Sequence, residues 1–177
     1  MNPFLAIPET RRVPVFAVAL LAFFITLWAV REANSRASAA SGGTIARPLD
    51  LLTASPGSDE PSAEARRWLV VSLVVDFVFL TSLALVDGLA SVWAAVYRIP
   101  WLAPLSAPMA WLICVAALID VGENLAFLWM AALWRHASWV PSELTCFAFF
   151  CSRAKFVALV GLSYAILVGV ARLRTVL

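Results

Sequence analysis

Charge is scarce in this chain. Of 177 residues only 14% are Asp, Glu, Lys or Arg and 63% are hydrophobic, whereas a soluble domain carries roughly a quarter charged and about half apolar residues. The mean hydropathy of +0.90 agrees. There is too little polar surface to cover the chain in water, which excludes a soluble enzyme and a nucleic-acid module.

Histidine is nearly absent. With His136 alone, the His-rich metal sites of membrane hydroxylases cannot be built, and no Ser has a His to activate it. Cysteine is limited to Cys114, Cys146 and Cys151. All three fall in apolar runs, where a thiol acts as a small hydrophobe, and no Cys-x-x-Cys pair supports redox chemistry. No basic run exceeds two residues and the net charge is only +2, so no nucleic-acid partner is indicated. No cofactor is implied. The one metal alternative left is a carboxylate-only Mg or Ca site at Asp120 and Glu123.

What the chain has instead is long apolar runs, and a membrane-crossing helix needs about 20 such residues. Four stretches qualify: residues 13–30, 68–97, 105–134 and 142–171. Pro141-Ser142 is a plausible start for the last, because a Ser side chain can accept from the first free backbone amides. Residues 1–12 and 172–177 are short tails. The first run follows Arg11-Arg12 and precedes Ala37-Ser38-Ala39, a small-x-small pattern found at signal cleavage sites. At 18 residues it is longer than a signal core of roughly 7–15, which favours a retained signal anchor. Trp28, Trp68, Trp93, Trp101, Trp134 and Trp139 lie near span ends, where indoles sit at headgroups. Residues 31–67 hold Gly42-Gly43 and Ser55-Pro56-Gly57-Ser58, all breaker signals, and read as a flexible polar loop. Arginine counts of five and six on the two sides leave the orientation open.

Ionisable side chains inside an apolar span are costly and tend to face the bundle interior. Six lie well inside the span ends: Asp76, Asp87, Asp120, Glu123, Arg153 and Lys155. Offsets of three and four put Asp120, Glu123 and Asn124 on one helix face. At 1.5 Å rise per residue, measured from the side carrying the long loop, Asp76 is about 12 Å deep, Glu123 about 16 Å, Lys155 about 20 Å and Asp120 about 21 Å. Asp87, at about 28 Å, lies near the opposite surface, within reach of solvent. The spacing therefore predicts a network in which Lys155 bridges Asp76 and the Asp120/Glu123 pair, with Asn124 as a hydrogen-bond partner. Ala154, Ala158, Gly161, Ala165 and Gly169 form a small-residue stripe that lets another helix approach, flanked by Arg153 and Lys155. Such a network either fixes helix register or serves a proton, an ion or a polar headgroup.

Asp76-Phe77-x-Phe79, Asp120-x-x-Glu123-Asn124 and Lys155-Phe156 resemble a pattern of uncharacterised bacterial four-helix integral membrane proteins, over residues 48–167. The resemblance implies four helices with a long first loop and implies no reaction. The chain departs from the pattern in that loop, where a longer helical acidic segment is expected before the second span.

The expectation is an all-α integral membrane four-helix bundle with up-down topology and a long loop after the first helix. Its partners are the lipid bilayer and a membrane protein or second copy of itself, and its location is the bacterial inner (plasma) membrane. A non-enzymatic structural or accessory role comes first, a small transporter or proton-coupled carrier second, and a lipid-acting membrane enzyme third.

Overall fold

A computed structural model describes residues 1–43, 62–99, 101–133, 146–148, 150–151 and 156–176. The chain is helical, with no strand among the described residues. The helices are α1 (Glu9–Ala40), α2 (Ala63–Val96), α3 (Ser106–Leu133) and α4 (Phe156–Val176), with 3-10 turns at Pro3–Ala6 and Ala103–Leu105. Three segments, Glu9–Ala40, Ala63–Val96 and Ala103–Ala132, are long and apolar enough to cross a membrane, and a shorter apolar stretch covers Val160–Arg172 in α4. Residues 142–145, including the Ser142 start, lie outside the described residues.

The first helix does not stop where its apolar run stops. Residues 31–40, which composition assigns to the polar loop, continue α1 to Ala40. Ala33 and Ala37, four apart, are 2% and 0% exposed, giving this polar-looking stretch a buried stripe. Its outer face is held by Arg36, which pairs with Glu32 at 2.7 Å and lies over the Trp68 ring at 4.6 Å. The helix ends at Gly42, which takes a φ of 63°. Gly43 N donates to Ser38 O and Gly42 N to Ala39 O, the paired closure favoured when a glycine adopts the left-handed conformation. Ser62 then caps α2, accepting from Ala65 N at 3.1 Å while donating to Ala40 O at 3.0 Å.

The end of α2 repeats that closure without glycine. Ile99 N donates to Ala94 O and Arg98 N to Ala95 O, and Arg98 has a φ of 46°. A side chain in this region costs roughly 1–2 kcal/mol. Arg98→Gly is therefore expected to raise the melting temperature in detergent by about 2–4 °C, the shift for ~1 kcal/mol in a chain of this size, as read by circular dichroism.

The described residues fall into two compact units: Met1–Phe23 with Leu80–Ile119 and Ala154–Leu177, and Phe24–Phe79 with Asp120–Arg153. The first has a core of Ala90, Ala94, Ile99, Leu102, Tyr164 and Val168. There the Tyr164 hydroxyl donates to Leu102 O at 2.9 Å and Phe16 packs on Trp93 at 4.7 Å. The second unit is built on Ala37, Leu69, Leu73, Phe127 and Met130.

Candidate functional site

In the second unit α3 presents Asp120, Glu123 and Asn124 on one face, and burial leaves them 7%, 3% and 2% exposed. Asp76 on α2 is half-buried. Asn124 Nδ2 donates to Asp76 Oδ2 at 2.7 Å, a charge-assisted geometry of the stronger kind when the acceptor is ionised. One turn earlier on α2, Ser72, which is 3% exposed, donates from Oγ to Asn34 Oδ1 at 2.8 Å. Two side-chain hydrogen bonds thus link α1 to α2 and α2 to α3 within this unit, bordered by Leu73 and Phe127 of its core. Gly122, on α3 beside these groups, gives room to the Phe147 ring, whose Cζ lies 3.3 Å from where a Cβ would sit.

Arg153, Ala154 and Lys155 lie outside the described residues, and with them the bridging cation of the expected network. The side chain of Ala158 does too. Gly161 is buried, and a Cβ there would overlap Ile113 Cδ1 and come within 3.3 Å of Asp87 Oδ2. Ala165 is packed against the core of the first unit. At Gly169 a Cβ would meet nothing within 4 Å. The small-residue stripe is thus close-packed at Gly161 and open at Gly169.

Asp87 is not at a solvated surface. It is 1% exposed and neither carboxylate oxygen has a hydrogen-bond partner. Counting rise along α2 measures depth only. Helix α4 comes close to Asp87, because Gly161 has no side chain to hold Ile113 and the Asp87 carboxylate away.

A further polar group joins Met1 and Asn2, outside the apolar runs, to residues within them. Asn2 is 4% exposed and donates from Nδ2 to Ser91 Oγ at 2.8 Å and to Ser106 O at 3.5 Å. Its Oδ1 accepts from Phe4 N, and the Trp111 indole donates to Met1 O at 3.1 Å. Asn2-Pro3 is a readable start signal, a capping side chain followed by Pro at the first helical position, but nothing local announces its distant partners.

Cys114 is half-buried, Cys146 exposed and Cys151 buried, all as free thiols. Among the described residues no cluster of three or more His, Cys, Asp or Glu side chains could hold a metal ion. No family model, curated protein or solved structure matches the chain.

Proposed function

We propose that this is a small multi-pass integral membrane protein, a four-helix up-down bundle of the bacterial inner membrane with a structural or accessory role. Its buried polar groups set how its helices pack. The bilayer reading draws on α1, where Val18, Leu21, Phe24, Ile25 and Trp28 are each at least 56% exposed, an apolar surface suited to lipid and not to water. The observation that carries the accessory role is the Asn124–Asp76 hydrogen bond between two such helices, joined to carboxylates that are themselves buried. A membrane protein or second copy is the natural partner of such a scaffold.

The second reading is a small proton-coupled carrier, favoured by Asp87, whose buried carboxylate lacks a hydrogen-bond partner. Asp76→Asn and Asp87→Asn separate the two. In proteoliposomes holding a pH-sensitive dye under an imposed potential, the accessory role predicts no flux above that of empty vesicles, and a lower melting temperature for Asp76→Asn, which weakens the bond from Asn124. Proton flux in the wild type that disappears in either variant while its melting temperature holds would replace the accessory role with the carrier.

A further inference from the structure

The second unit carries a cleft of about 800 Å³ that the polar network does not use. Its volume lies within the roughly 300–1,000 Å³ of ordinary ligand sites. Arg66 and Arg67, in the first turns of α2, stand at one end, and Val70, Val71, Leu128 and Ala131 form its walls. The walls belong to α2 and α3, which run antiparallel here: Asn124 meets Asp76, while Leu128 and Ala131 share the cleft with Val70, Val71 and Arg66. From Arg66 to Val71 the cleft descends about 7.5 Å along the helix axis. One end is cationic and the other apolar.

One N–H at the cationic end is unsatisfied. Arg66 Nε is shielded from solvent and has no hydrogen-bond partner. The neighbouring arginine of this unit, Arg36, is already engaged by Glu32 and Trp68. A buried guanidinium N–H without an acceptor costs free energy that a bound anion would return, and paired arginines suit the oxygens of a phosphate.

We propose that this cleft binds an anionic glycerophospholipid, with the phosphate held by Arg66 and Arg67 and the glycerol and upper acyl chain against Val70, Val71, Leu128 and Ala131. Two observations select this occupant over a soluble anion or a partner helix. The pair of arginines precedes a long apolar span, so the cleft mouth sits at headgroup level, and the apolar walls begin one turn below the charge, as an amphiphile requires. The proposal rests on the membrane reading above.

The test uses the full chain in a zwitterionic detergent, with native mass spectrometry and thermal melting against added phosphatidylglycerol, phosphatidylcholine and inorganic phosphate. Phosphatidylglycerol is expected to be retained and to raise the melting temperature, while phosphatidylcholine and inorganic phosphate are not. Arg66→Gln/Arg67→Gln should weaken the phosphatidylglycerol effect by about tenfold or more, the loss expected for charge-assisted hydrogen bonds. Ala132→Trp, which sets a large ring at an exposed lining position of the cleft and keeps both arginines, should weaken it likewise, so the proposal does not depend on the arginine variant alone. Equal stabilisation by both lipids, an equal effect of inorganic phosphate, or undiminished selectivity in both variants would overturn the site. Extraction of the chain from cell membranes by alkaline carbonate without detergent would overturn the membrane reading itself; resistance to carbonate with no lipid selectivity would overturn the lipid site alone.

Discussion

Replacing Asn124 with Leu is expected to lower the melting temperature in detergent by about 5 °C, corresponding to a loss of about 1–2 kcal/mol. The variant removes the amide that donates to Asp76 and sets an apolar group against a half-buried carboxylate. Side-chain hydrogen bonds between helices in lipid average less than their counterparts elsewhere, about 0.6 kcal/mol with a ceiling near 1.7. Here the amide is 2% exposed, which puts this bond at the upper end of that range. A double-mutant cycle with Asp76→Leu isolates the pair: Asp76→Leu/Asn124→Leu should lose less than the sum of the single variants, because each single variant already removes the same bond. Strict additivity would mean that the bond sets no packing.

The second large effect is at Gly161. Gly161→Val should cost about 3 kcal/mol, roughly 6–12 °C, because its Cβ would overlap Ile113 Cδ1 and crowd the Asp87 carboxylate. Gly169→Val should change little, since no atom lies within 4 Å of its Cβ position and Val is the better helix former. Gly161→Val/Ile113→Ala should melt above Gly161→Val, because both overlapping atoms, Cδ1 and Cγ1, belong to the Ile113 side chain that the second substitution removes. Equal effects at the two glycines would show that the α4 contact does not hold in the membrane protein.

The contrast between those glycines shows where the sequence is informative. Both lie on one stripe by helical periodicity, and periodicity cannot say which end of the stripe meets a neighbour. The long apolar helices are readable because length and hydropathy are summed over tens of residues and survive local exceptions. Residues 31–40 are not, since Arg31, Glu32, Asn34 and Arg36 hide the Ala33/Ala37 spacing that makes the segment helical and half-buried. The face shared by Asp120, Glu123 and Asn124 follows from spacing, and their burial agrees with the cost of charge in lipid. Asp87 escapes the same logic: its surroundings include Gly161, 74 positions away, and a linear depth count has no access to that contact.

Asn2 carries a consequence for the order of events during synthesis. Its side chain and the neighbouring Met1 carbonyl bond to partners 89, 104 and 110 positions later. At roughly 5–20 residues per second, the ribosome takes on the order of 5–20 s to supply them. Asn2 is therefore made well before the groups that satisfy it, and closing so long a loop is slow compared with forming any single helix. Until Trp111 has been made, Met1 and Asn2 lack the full set of partners they hold in the folded protein.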